Sequence, residues 1–474
     1  MMIDKSLPLT GIRVIDFTHF LAGPYLTRCL AAFGAEVIKV ERPPAGDEAR
    51  THPYIRQGQS GYYLQQNMGK KGLCLNLKDP RGPEALHKLT RISDVFVENY
   101  RPGVLDRLRL GYQELARINP ALIYCSVSAY GHSGPDAGRP GYGVIAEAKS
   151  GVMDLVGVPG EAPPLLRVPV ADMFAGIHGV AAVCAALVGR QATGRGRRID
   201  MALYDCMVAL REFAIQCYTL SGGTEILERS GHDLPQSSPL GVFPARDVYI
   251  AIAAHMEDSW KRLATLVGGE ALAADARFHS LAGRNAHRKE ILTCVQEWLP
   301  AQPSLKECVT ALDAAGVPCA PVQRIDQVVA DPQVRAWHAR RAGASRPGPH
   351  HHAQCAVQVL GRGCHAASAR PTLGRAQPGD PHDHSGVLKG RGRDAGARRC
   401  PLHRSGRAAV ARGIRGRDPD LKEGSHLAMT EPTKETSLVD EALKPWIMTD
   451  EMKSREPTNE GILSEGRKVS KRHI

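Results

Sequence analysis

A strand–helix–strand unit with short connections, repeated along the first 130 residues, constrains this chain more than any other feature. Residues 12–17 (IRVIDF) read as a buried strand, 18–23 as a turn, 24–33 as a helix that Gly34 ends, and 36–41 (EVIKVE) as the next strand. Two strands joined through one such helix pair in parallel, because the crossover carries the chain back to the edge it left. The alternation recurs with helix 83–91 before strand 95–97 and helix 105–118 before strand 122–127. An α/β fold follows, with a Rossmann-like, doubly wound parallel sheet whose ligands lie beyond the carboxyl ends of the strands. No GxGxxG follows the first strand, and the near match Gly194-Arg195-Gly196 precedes a strand, so a nicotinamide dinucleotide is not expected.

The pattern divides the chain into a large unit over residues 1–200, a helical linker over 201–235 and a smaller α/β unit over 236–330. The linker begins with a long helix, 201–220, and turns at Gly222-Gly223. The smaller unit is expected to open on strand 248–252, continue with helices around Trp260 and Trp298, and close on 317–322 (VPCAPV). Composition changes abruptly near residue 339: residues 339–428 hold no Phe, Trp, Tyr or Met and one isoleucine, Ile414. Such a stretch cannot bury enough apolar surface to offset the entropy of ordering, which predicts a disordered C-terminal tail. We read it as an out-of-frame translation, with Met429 near the start of a neighbouring coding sequence and 429–474 an unrelated acidic, lysine-rich tail; a natural low-complexity tail is the alternative. His350-His351-His352 has no ligand framework around it, and no metal site is expected.

The net charge of +12 does not indicate a nucleic-acid partner. Residues 339–428 carry 17 Lys+Arg against 6 Asp+Glu, a net of +11, and residues 429–474 carry 8 against 9, a net of −1. About +2 remains for residues 1–338, an ordinary balance. The twelve cysteines show neither CxxC pairs nor zinc-like spacing and read as reduced thiols. Residues 1–11 contain no apolar signal region and no uncharged apolar run reaches 18 residues, so the expectation is a cytoplasmic protein without a membrane partner.

Asp172 is the acid that stands out, placed among small apolar residues in VADMFAG, 170–176, ahead of an alanine-rich helix over 177–188. Amide donors and the helix dipole at a first turn would hold such a carboxylate ionised and aimed. A nucleophile or a proton-transfer base needs that, and a plain N-cap aspartate has it too.

Beyond these local readings, a series of blocks runs in order through the chain: PLTGIRVIDFTHFLAGP (8–24), GAEVIKVERP (34–43), NMGKKGLCLNLKDPRG (67–82), VENYRPGVLDRLRLGY (97–112), SAYGHSGP (128–135), VADMFAG (170–176) and TGRGRRIDMALYD (193–205). SSPLGVFPARDVYIAIAA (237–254) and GVPCAPVQ (316–323) continue it in the smaller unit. By these blocks, residues 8 to about 336 resemble the class III CoA-transferases, the formyl-CoA and carnitine CoA-transferase type. The resemblance implies an enzyme that transfers coenzyme A from an acyl-CoA donor to a carboxylic acid, with Asp172 as catalytic nucleophile passing through an aspartyl anhydride and an enzyme–CoA thioester. Coenzyme A is then a substrate, and no tightly bound cofactor is implied. The resemblance places His19, Leu21 and Ala22 along the CoA site, Arg42 beside the adenine-nucleotide end, and Asn99, Tyr100 and Arg107 in a further CoA-contacting stretch. It also implies an interlocked homodimer.

Two other readings compete with transfer: an acyl-CoA racemase or epimerase on the same fold, and a catalytically defective product. Acyl-CoA racemases of this fold carry Gly-His-Asp where this chain has Gly141-Tyr142-Gly143, and a tyrosine is a poor base at neutral pH. The transferases commonly carry an acid where Gly143 stands, and Gly222-Gly223 and Gly241 are the sole candidates for a glycine-rich lid. In the family the chain returns from the small unit to complete the large one. The returning residues here are the low-complexity stretch, so a defective product is the third reading.

Overall fold

A computed structural model of the chain describes residues 7–336, except Gln57 and Asp247. The two tail segments, with their frameshift reading and the triple histidine, lie outside the described residues. The described chain opens as β1 (Arg13–Phe17), α1 (Ala22–Ala32) and β2 (Glu36–Glu41). A short hairpin, β3 (Ile55–Arg56) and β4 (Gln59–Ser60), precedes α2 (Gly61–Gln66) and β5 (Lys71–Cys74). The alternation then runs α3 (Arg81–Arg91), β6 (Val95–Glu98), α4 (Val104–Arg107), α5 (Tyr112–Ile118), β7 (Ile123–Ser128), α6 (Gly143–Lys149), α7 (Val152–Leu155), α8 (Val170–Thr193) and β8 (Arg198–Ala202).

Six of these strands form one sheet in the order β5-β2-β1-β6-β7-β8, and every pairing within it is parallel. The expected doubly wound α/β sheet is therefore present. The order runs outward in both directions from the β1–β6 pair, which makes the carboxyl ends of those two strands the topological switch point. One face packs Val14, Val37, Val95, Val97, Ile123 and Cys125 against residues of α1, α8 and the following helix α9 (Leu203–Leu210), and the other packs Ile15, Phe17, Val40, Phe96 and Tyr124 against Leu86, Leu105 and Leu115. Burial on both faces explains why these strands read as near-continuous apolar runs.

Helix α8 is twice the length read from the alanine-rich stretch. It starts at Val170 and ends where Gly194 takes the left-handed conformation, φ 67°. Gly176 and Gly179 allow its close approach to α1. A Cβ at either would lie 2.7 Å from Tyr25 Cδ1 or 2.2 Å from Leu26 Cδ1 respectively. By length and composition α8 could cross a membrane. It lies instead against α1, α6, β7 and β8 with Ala171, Ala175, Val180 and Val183 buried.

The stretch expected as a single helix over 201–220 is divided. Met201 and Ala202 end β8, and the helices are α9 (Leu203–Leu210) and α10 (Glu212–Leu220), separated by Arg211 at φ −97° and ψ 17°. The second sheet starts earlier than expected, with β9 (Leu240–Ala245) pairing antiparallel to β10 (Val248–Ala253), which pairs to β11 (Cys319–Pro321). Pro244 concealed β9, yet β9 is an edge strand, where a missing N–H is tolerated. Between β10 and β11 lie α11 (Glu257–Ala273), α12 (Leu281–Ala286), α13 (Arg288–Ala301) and α14 (Leu305–Ala314), with α15 (Ile325–Ala330) after β11. Phe243, Ile250, Ile252, Leu263, Val295, Leu299 and Leu312 form their core.

Candidate active site

The turn after β1 is where the switch point is built. Phe20 adopts φ 62°, a conformation that costs a non-glycine residue and persists only when its surroundings impose it. The imposition is visible. His19 N donates to Asn99 Oδ1 at 2.9 Å and Asn99 Nδ2 donates back to His19 O at 2.8 Å, tying the β1 turn to the β6 turn. Phe20 N donates to Asp47 Oδ1 at 3.2 Å.

Beneath the turn runs a buried network of alternating charge. Lys39 Nζ donates to Thr18 O at 2.6 Å and to Asp47 Oδ2 at 2.8 Å. Lys70 Nζ meets Asp16 Oδ2 at 2.7 Å, Asn67 Oδ1 at 2.8 Å and Pro24 O at 2.9 Å. Asp16 in turn accepts from Thr18 N and from the Thr27 hydroxyl. Burial pushes the Asp16 carboxyl up, but Lys70 and Lys39 outweigh it and hold it below its ordinary value. Burial brings Lys70 down to about 8, which leaves it cationic at neutral pH. Each charge has a partner and its remaining donors or acceptors are occupied, the condition under which buried ions are tolerable.

An aromatic surface rises from this base. Phe17 stacks on Tyr100 at 5.0 Å between ring centres, and Tyr100 stacks on His19 at 4.9 Å. Glu48 lies 3.7 Å from His19 Nδ1 and 2.5 Å from an Arg42 nitrogen. His19, then its own backbone amide and Arg42, hold the Glu48 carboxyl down at about 2. The structure thus gathers His19, Asn99, Tyr100 and Arg42. It turns the Leu21 and Ala22 side chains into the core, 7% and 3% exposed, so backbone alone is available there. Arg107 is exposed at the end of α4.

Asp172 lies in the first turn of α8, above the carboxyl ends of β7 and β8, because α8 feeds into β8 and those strands are parallel. Pro169 is the N-cap, and no side chain caps the helix. The plain N-cap reading therefore does not hold. Burial, reinforced by the negative charge of Glu147, pushes its carboxyl up to about 6. The carboxylate rests against Gly143, the first residue of α6, where an added Cβ would lie 2.1 Å from Asp172 Oδ2 and 3.0 Å from its Cγ. An alanine at position 143 would therefore force the Asp172 carboxylate to rotate away.

A line of rings connects the two parts of the site. Phe20 meets His52 edge-on at 6.4 Å, and His52 packs on Tyr62 at 4.8 Å. Burial, then the charges of Asp172 and Asp47, raise the Tyr62 phenol well above its ordinary value. His52, Tyr62, Glu48, Asp47 and Glu147 escaped the sequence reading. Glu147 was recoverable, since an acid in the apolar run VIAEAKSG is the same signal that exposed Asp172. Among the described residues no group of His, Cys, Asp and Glu side chains is arranged to hold a metal.

The parallel sheet, the stacked rings at its switch point and the buried carboxyl of Asp172 fit the α/β class that the strand–helix alternation predicts. The chain belongs to CoA-transferase family III, whose description matches residues 9–377. It is 36% identical over 346 residues to the succinate–glutarate CoA-transferase of Agrobacterium fabrum, covering 71% of this chain and 85% of that one. It is likewise 36% identical over 347 residues to the acetyl-CoA:oxalate CoA-transferase of Acetobacter aceti, covering 72% and 88%. The human succinyl-CoA:glutarate CoA-transferase is 34% identical over 334 residues, covering 70% and 75%. A solved CaiB/BaiF family protein from Brucella suis matches with a TM-score of 0.67 at 33% identity, covering 77% of this chain and 96% of that one. The protein is accordingly an enzyme of the class its motifs suggested. The matched span passes residue 336, where those motifs stop, and enters the low-complexity stretch.

Proposed function

We propose that the protein moves coenzyme A between two carboxylic acids, with Asp172 as the covalent carrier. A carboxylate oxygen of Asp172 attacks the thioester carbon of the donor. The C–S bond breaks and its electron pair leaves with CoA thiolate, giving a mixed anhydride. The thiolate then attacks the aspartyl carbonyl and releases the donor acid, which leaves an aspartyl–CoA thioester. The acceptor carboxylate repeats the sequence in reverse. Anhydride and thioester are close in group energy, so the acyl bond passes on without ATP, and a carboxylate suits the task because both of its adducts remain reactive.

The observation that carries this reading is the Asp172 carboxylate itself, buried, drawn up to about 6 and seated at the sheet end that faces the switch-point crevice. Its raised value makes it a stronger nucleophile than an ordinary aspartate while leaving it largely ionised at neutral pH. CoA would lie along His19, Asn99 and Tyr100, with Arg42 and Arg107 toward its phosphates and the Tyr100 face available for stacking. The named relatives use succinyl-CoA, acetyl-CoA, glutarate and oxalate, which favours short dicarboxylic acids here. With Tyr142 standing where racemases of this fold carry histidine, the second base is missing, so proton shuttling at an α-carbon is not favoured. A homodimer accords with exposed apolar side chains such as Val188 at 68% and Leu220 at 72%.

The test is to quench turnover with succinyl-CoA or acetyl-CoA by hydroxylamine and to map the product by mass spectrometry. A hydroxamate on the peptide bearing Asp172 is expected. Turnover with a competent donor and no adduct at that residue would remove the proposal, and rapid α-deuterium exchange without an acceptor acid would replace it with racemisation.

A further inference from the structure

We propose that Glu147 is a positioning residue for acyl transfer: it fixes the backbone that carries Asp172 and, through its charge, favours the acylated form of that carboxyl. This rests on the reading of Asp172 as acyl acceptor. Gly143 and Glu147 are four residues apart on α6 and so share one face, and α6 packs on α8. Gly143 brings the α6 backbone against the Asp172 carboxylate. One turn later Glu147, 3% exposed, accepts a hydrogen bond from Ala171 N at 3.1 Å, the amide of the residue preceding Asp172. The acid missing at position 143 is thus present one turn along the same helix.

The negative charge of Glu147 beside the buried Asp172 carboxyl disfavours ionisation of Asp172. When Asp172 attacks a thioester its negative charge departs with CoA thiolate, and the resulting anhydride is neutral. The repulsion from Glu147 is present before that step and gone after it, so it favours formation of the covalent adduct. The other ionisable groups on elements around α8 are differently occupied. Arg28 of α1 donates to Gln65 O, and Lys149 of α6 pairs with Asp136 over the Tyr130 and Tyr204 rings. Arg198 and Asp200 of β8 act on His132, and Asp205 of α9 feels Asp200. Arg190 of α8 pairs with Asp94, Tyr25, Cys29, Tyr124, Cys125, His178, Cys184, Tyr204 and Cys206 also lie on these elements, and Tyr62 of α2 faces Asp172 as a neutral phenol. Glu147 is the charge that acts on Asp172.

The experiment compares the wild-type full chain, Glu147→Gln and Glu147→Asp in acyl transfer from acetyl-CoA across pH 4–8. Glutamine keeps the acceptor oxygen for Ala171 N but removes the charge. Its acid limb in kcat/KM should move down by about one pH unit and its plateau should fall about 3–10-fold. Glu147→Asp, which keeps the charge, should keep the wild-type limb. Coincident limbs for the wild type and Glu147→Gln would overturn the proposal. Should Glu147→Gln not fold, Glu147→Ala takes its place, with a lowered limb supporting the proposal and a wild-type limb overturning it. Asp172→Ala separates the two readings. If it still transfers, the acceptor assignment falls, and if it is inactive while the Glu147→Gln limb stays put, the Glu147 proposal alone falls.

Discussion

Asp172→Asn is expected to abolish CoA transfer and, at neutral pH, to make the protein more stable. The loss of activity follows from chemistry, because an amide cannot form the anhydride, and a fall of about 10⁴-fold or more is the scale for removing a covalent nucleophile. Asp172→Ala should be equally inactive while leaving CoA binding intact, since the crevice of His19, Asn99 and Tyr100 is built by β1, β6 and the residues beneath them. Unchanged turnover in either variant would refute the assignment.

The gain in stability follows from burial. The Asp172 carboxyl is shifted upward in the folded protein to about 6. Its contribution is therefore fully present below the unfolded value of about 4, and it is lost as pH rises through about 6, where an ionised carboxylate must be kept among apolar groups beside Glu147. Asparagine has no such charge. The variant should gain about 1–3 kcal/mol at pH 8 and nothing at pH 4, read as a melting-temperature difference that vanishes on acidification. A gain that persists at pH 4 would mean that packing, not charge, produced it.

The second large effect lies beneath the site. Lys70→Met should destabilise the protein by about 3–5 kcal/mol, because it leaves Asp16 buried without its closest counter-ion. Asp16 accepts from Thr18 N and the Thr27 hydroxyl, and Lys70 also holds Pro24 O and Asn67 Oδ1, so the change should loosen the Phe20 turn as well. Denaturant titration should show a lowered midpoint. The double variant Asp16→Asn/Lys70→Met should recover part of the loss, since removing both charges removes the unpaired one. A single-variant loss below about 1 kcal/mol would show that Lys39 alone satisfies Asp16.

The elements were legible because their signals are local. Apolar runs of 4–8 residues alternating with helical periodicity fixed a parallel α/β sheet, and the strands β1, β2, β6 and β7 lie close to where those runs fall. Pro244 hid β9 and Arg211 hid the break between α9 and α10, because both calls weigh a single residue against its neighbours. The C-terminal change in composition was equally plain, although its consequence lies outside the described residues.

By itself the sequence determined a parallel α/β sheet and the acid most worth testing, while the strand order that sets the switch point came from the tertiary structure. The tertiary structure decided what surrounds that acid. His19 and Asn99 are 80 residues apart and meet because β1 and β6 are neighbours in the sheet. Glu147 and Asp172 come together because α6 lies along α8. A helix terminus alone predicts an ionised carboxylate, whereas burial and a like charge, which exist after packing and not before, raise it toward neutrality. Periodicity is a property of neighbours in the chain, and electrostatics is a property of neighbours in space.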